Sequence, residues 1–115
     1  MDEKTFKDRT KNFGLAIIRL TESLPKSRTS DVLGRQILRS ATSIGANYRA
    51  ACRAKSTADM INKLKVVEEE ADETLYWLEL IQETSHLPEI PGLAKENNEL
   101  LAMTVASIKT LRLRK

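Results

Sequence analysis

One histidine, one cysteine and sixteen carboxylates are the side chains in this sequence that could support catalysis or hold a metal. Glu83-Thr-Ser-His86 reproduces once the Glu-x-x-His spacing from which helical bundles build carboxylate-bridged metal pairs. Such a centre needs a second copy of the motif and two further glutamates. His86 has no second histidine to join it, and the match sits beside Pro88 at the end of a helical pattern. A solvent-facing imidazole near a helix C-terminus, where positive charge is favoured, is the ordinary reading. Cys52 has no histidine near it in sequence and lies late in a helix beside an apolar stripe, so it reads as a small hydrophobe rather than a nucleophile. Glu68, Glu69, Glu70, Asp72 and Glu73 are dense but spread over most of a helical wheel, so they do not converge on one point. Solvated faces, or ion pairs to a neighbouring subunit, account for them. No glycine-rich phosphate loop and no nucleophile elbow is present. Catalysis therefore has no feature of its own here, and neither a metal nor an organic cofactor is expected.

The basic residues are better organised. Arg35, Arg39, Arg49 and Arg53 fall within about 80° of one another on a wheel of 3.6 residues per turn, opposite Ile37 and Tyr48. Thr42 and Ala46 lie between them. A row of guanidinium groups over small residues suits contact with phosphates, each of which a guanidinium can hold through two parallel hydrogen bonds. The plain alternative is a solvated helix face. Aromatic residues are too few for a base-stacking platform. A second outward feature is a stripe of Val66, Glu73, Trp77 and Leu80, about 100° or more from the core line of its helix. A wide core face would explain it. A contact between subunits explains it better, because tryptophan anchors are enriched there, so Val66, Trp77 and Leu80 are the expected oligomer interface.

The elements that must position these residues are helical throughout. Phe6, Phe13, Ile17, Leu20 and Leu24 recur at helical steps, and Pro25 ends that helix. Lys26-Ser-Arg-Thr-Ser30 reads as a polar link, with Ser30 or Asp31 capping a second helix from about Val32 to Arg53. Its core stripe is Leu33, Ile37, Ala41, Ile44, Tyr48 and Ala51, and its interior Gly34 and Gly45 imply close approach of another helix. Ser56-Thr-Ala-Asp59 resembles a capping box opening a third helix, Thr57 to about Thr84, with Met60, Leu64, Val67, Ala71, Leu75, Leu78 and Ile81 as its stripe. His86 to Gly92, with Pro88 and Pro91, reads as a loop. A fourth helix, Leu93 to about Leu113, carries Leu93, Leu100, Leu101, Met103, Val105, Ile108 and Leu111 inward.

The expected architecture is all-α, a single domain over residues 1–115, folded as an antiparallel up-down-up-down four-helix bundle. A chain of this length buries a sufficient core without disulfides. The single cysteine allows no internal disulfide, the N-terminus has no apolar run behind Met1-Asp2-Glu3-Lys4, and no apolar run approaches a membrane span. The expected location is the cytoplasm, with no membrane partner. A net charge of +3 permits a polyanionic partner without demanding one.

Three stretches carry a family resemblance. They are Leu38-Arg-Ser-Ala-Thr-Ser-Ile-Gly-Ala-Asn47, the following Arg53-Ala-Lys-Ser56, and Ala71-Asp-Glu-Thr-Leu-Tyr-Trp-Leu-Glu79. They resemble the four-helix-bundle proteins encoded in intervening sequences of bacterial 23S ribosomal RNA genes, which are distantly similar to the accessory variability proteins of diversity-generating retroelements. Many members carry proline where Gly45 stands here. The resemblance implies a homopentamer without enzyme activity. Its retroelement branch implies binding to nucleic acid and to a reverse transcriptase through positive surfaces. The combined expectation is a non-enzymatic, oligomeric nucleic-acid-binding module that prefers RNA. A structural adaptor whose partner is another protein is the alternative.

Overall fold

The computed structural model describes residues 2–114, which form four helices and no strand. These are α1 (Glu3–Ser23), α2 (Arg28–Cys52), α3 (Thr57–Ser85) and α4 (Ile90–Leu113). Each connection is four residues long (24–27, 53–56 and 86–89). Connections this short leave each helix beside its predecessor. α1 packs on α2, α2 on α3 and α3 on α4, and α1 meets α4 along a narrower line. The backbones of the diagonal pairs, α1 with α3 and α2 with α4, stay more than 8 Å apart among the described residues, and side chains fill the core between them. The result is a rod of 49 × 20 × 20 Å.

Local chemistry explains where the helices begin. Asp2 caps α1, its carboxylate accepting from Thr5 N at 3.4 Å and from Thr5 Oγ1 at 2.9 Å. Ser56 caps α3 by accepting from Asp59 N at 3.1 Å, and Asp59 accepts in return from Lys55 N at 3.0 Å. That reciprocal pair is the expected capping box, with the return bond one residue earlier than usual.

α2 starts earlier than its apolar stripe suggests. Ser27, not Ser30 or Asp31, is the cap, and it accepts from Ser30 N at 3.0 Å. A good cap satisfies one of the free N–H groups that open a helix, and a first turn needs no apolar face, so the first turn of α2 is solvated rather than absent. α4 likewise begins at Ile90, with Pro91 in its first turn. A proline there gives up only an N–H that has no partner within the helix. His86 closes α3 in the left-handed conformation (φ 51°, ψ 43°), its N–H donating to Gln82 O, and its side chain is exposed.

The core contains most of the expected stripes, from Phe6, Phe13, Ile17 and Leu20 through Ile37, Ile44 and Tyr48 to Leu64, Leu78, Leu100 and Ile108. Leu75 and Val105 stay half-buried outside it, while Ile61 and Ile90 are buried instead, because the rotation of α3 and α4 in the bundle sets which edge of a broad apolar face turns inward. Leu24, Leu33, Met60, Leu93, Leu101 and Met103 pack on it from partly exposed positions. Five polar residues are also buried: Thr10, Ser40, Thr74, Asn97 and Thr104. Thr10 and Thr104 donate back to the carbonyls of Phe6 and Leu100 on their own helices. The other three tie helices together. The hydroxyls of Ser40 and Thr74 lie 2.8 Å apart across α2 and α3, and Asn97 Nδ2 donates to Ala71 O at 2.9 Å across α3 and α4. Buried polar groups need such partners, so this layer restricts the relative register of three helices.

Candidate nucleic-acid interface

α2 turns Ile37, Ala41, Ile44 and Tyr48 inward and leaves Arg35, Arg39, Thr42, Ala46 and Arg49 exposed, with Arg53 exposed at its C-cap. The four arginines therefore lie on one outward line, as the wheel implies. Their electrostatic surroundings differ. Arg35 pairs with Asp31 one turn earlier on the same helix, both side chains mostly exposed. Arg39 reaches across to α3, where Nη1 donates to Glu70 at 3.3 Å and Nη2 donates to Glu73. Arg49 and Arg53 have no carboxylate within ion-pair distance among the described residues.

Arg49 also closes one end of a shallow groove between α1 and α2. Gly14, Gly45 and Thr10 line it, with Leu15, Ile18 and Ala46 alongside and Lys11 near Arg49. Lys11 is exposed and forms no ion pair among the described residues. The wheel of α2 alone did not reveal Lys11, because the rotation of α1 against α2 decides which α1 residues reach that groove. Thr42 and Ser43 are not free donors on this face, since their hydroxyls return to Leu38 O and Arg39 O at 2.7 Å each.

Val66, Trp77 and Leu80 are half-buried on the flank of α3 that also carries Glu70 and Glu73 toward α2. The Trp77 ring packs against the core cluster. Its Nε1 donates to Glu73 Oε1 at 3.2 Å, the same oxygen that accepts from Arg39. Tyr76, which sequence reasoning did not single out, is 53% exposed and lies at a tilt against Trp77, ring centroids 5.1 Å apart. The acidic cluster thus divides. Glu70 and Glu73 do converge, on Arg39 of their own chain, while Glu69 and Asp72 stay exposed.

The residues with catalytic potential are scattered. Glu83 and His86 are exposed, and among the described residues no three of His, Cys, Asp and Glu are placed to hold a metal ion. Cys52 is half-buried against the core, beside Met60, Leu64 and Met103 in an open cleft of about 580 Å³ where helix ends meet. Burial pushes the Tyr48 phenol well above its ordinary value, and the neighbouring Cys52 thiol adds to the shift. That phenol stays neutral at physiological pH and serves packing, its ring 4.4 Å from that of Phe6. Arg9 is committed elsewhere, with Nη2 2.6 Å from Glu96 and 2.9 Å from Glu99, so that it clamps α1 to α4. No helix is long and apolar enough to cross a membrane among the described residues.

Residues 3–106 match the model of the 23S rRNA-intervening sequence protein family. A crystal structure of a protein of unknown function from the S23 ribosomal protein family, from Bacteroides thetaiotaomicron, superposes with a TM-score of 0.87. The two sequences are 38% identical, and the match covers 95% of this chain and 99% of that one. No curated protein matches the chain. A family match across nearly the whole chain, on a four-helix fold shared with that structure, has one consequence: the chain belongs to the 23S rRNA-intervening sequence protein family.

Proposed function

We propose that this protein is a non-enzymatic, homo-oligomeric nucleic-acid-binding module of the cytoplasm that prefers RNA, its helices running alternately up and down so that α2 offers one continuous outer face. The reading is carried by Arg49 and Arg53, exposed at one end of α2 with no carboxylate partner among the described residues. Unpaired guanidinium groups are the cations most available to a phosphate, because nothing must be displaced first. Lys11, across the groove from Arg49, extends the positive end. In a ring of identical subunits this end repeats, and repetition turns weak single contacts into avidity when one strand spans several copies. The half-buried Val66, Trp77 and Leu80 supply the subunit contact, and family resemblance favours a pentamer.

The test is a salt titration of binding to a labelled oligouridylate and to the matching oligothymidylate. Binding should weaken steeply with salt, by a slope that counts phosphates contacted, and the ribose strand should bind more tightly. Arg49→Glu with Arg53→Glu should abolish binding while leaving helicity and oligomer size intact. Equal binding by parent and double variant would reduce the arginine line to a solvated surface and put the protein-adaptor reading first.

A further inference from the structure

Arg39 stands in the middle of the arginine line yet differs from its neighbours. Two carboxylates from another helix hold it, Glu70 on Nη1 at 3.3 Å and Glu73 on Nη2. Arg39 is 49% exposed, but Glu70 only 18% and Glu73 37%, so the acids approach from the sheltered side of the α2–α3 groove. Glu73 is itself held in place. Its Oε1 also accepts from Trp77 Nε1, and the Trp77 ring is anchored on the core. By contrast, the Arg35–Asp31 pair lies within one helix and is open to solvent on both sides. Such pairs exchange with solvent at little cost.

Two carboxylate oxygens set on the two donor edges of a guanidinium do what a phosphate diester does there. We propose that Glu70 and Glu73 are an intramolecular phosphate mimic that masks Arg39, so that a nucleic acid on the α2 face engages Arg49 and Arg53 first and gains Arg39 only by displacing the two acids. This inference rests on the reading of α2 as a polyanion-binding face. It explains how one helix carries both a permanently available basic end and a conditional basic centre. Trp77 links the two outward features of the chain, because its indole bonds Glu73, one of the two acids that hold Arg39.

A double-mutant cycle tests the mask with a labelled single-stranded oligouridylate as probe. The variants are Glu70→Gln/Glu73→Gln, Arg39→Ala, and the three changes together. Glutamine keeps an amide oxygen for Trp77 Nε1, and circular dichroism checks that each variant folds. Unmasking should tighten binding about two- to fivefold, the scale of a partly exposed ion pair. It should also steepen the salt slope by about 0.7, one further phosphate on a single strand. The gain should vanish in the Arg39→Ala background. A gain that persists without Arg39 would mean that removing negative charge acts at long range, and the mask would be wrong. Equal binding by parent and Glu70→Gln/Glu73→Gln overturns the mask alone. Absence of binding by both overturns the nucleic-acid reading and the mask with it.

Discussion

Thr10 of α1 lies directly over Gly45 of α2, so close that an added Cβ would stand 3.2 Å from the Thr10 hydroxyl oxygen and 3.4 Å from its Cβ. Thr10 is buried and its hydroxyl donates back to the Phe6 carbonyl at 2.9 Å, so it has little freedom to withdraw. At Gly34, the other interior glycine of α2, an added Cβ would meet the flexible end of Leu24 at 3.5 Å and the Thr21 side chain at 3.9 and 4.0 Å, all ordinary van der Waals contacts. Alanine is favoured over glycine in a helix by about 1 kcal/mol. Gly34→Ala should therefore stabilise the protein by most of that amount, raising Tm by about 4 °C. Gly45→Ala should show no such gain. Thermal unfolding followed by circular dichroism compares the two, and equal stabilisation would mean that α1 and α2 part easily.

Arg9 closes the narrow α1–α4 line through Glu96 and Glu99. Its guanidinium is partly sheltered and makes two bonds to Glu96, at 3.0 and 2.6 Å. Arg9→Ala should cost about 1 kcal/mol, the upper end for a surface pair with good geometry. The loss should be local. Hydrogen exchange is expected to accelerate in α1 and α4 before α2 and α3, and uniform acceleration would argue against a clamp.

Two caps carry carboxylates whose pKa values lie below the ordinary 3.8. For Asp59 the main cause is the hydrogen bond from Lys63, followed by that from the Lys55 backbone. For Asp2 it is the Thr5 hydroxyl. A carboxylate with a depressed folded-state value stabilises the fold above its unfolded value, and that stability is lost as pH falls through the folded value. Acidification from about pH 5 to pH 2 should fray the first turns of α1 and α3. Asp59→Asn should remove the α3 part of that pH dependence. Amide and carboxyl resonances in an NMR titration report both effects, and an Asp59 midpoint at or above 3.8 would contradict the capping geometry.

If the proposed subunit contact forms, light scattering should give a multiple of the 13.0 kDa chain mass. Trp77→Ala should weaken the assembly, but it also removes part of the subunit's own core. Leu80→Glu is the cleaner probe, since Leu80 is half-buried on the same flank, and it should lower the observed mass. A parent protein that scatters as a monomer at micromolar concentration rejects the contact.

Periodicity alone told which residues of each helix turn inward, because a 3.6-residue repeat leaves an apolar stripe little choice of face. Phe6, Ile37, Val67 and Leu100 are buried for that reason, and the outward line of Arg35, Arg39, Arg49 and Arg53 follows as its complement. What the wheel could not supply was partnership between helices. It left Glu70 and Glu73 as scattered charge, yet the rotation and register of α3 against α2 bring both to Arg39 and hang Glu73 between Arg39 and Trp77. It gave Ser40, Thr74 and Asn97 no role, since a polar residue can enter a core only where a neighbouring helix offers a bond. The face a residue occupies is a property of its own helix. The group it meets depends on how far a second helix slides and turns, which only packing of the whole bundle decides.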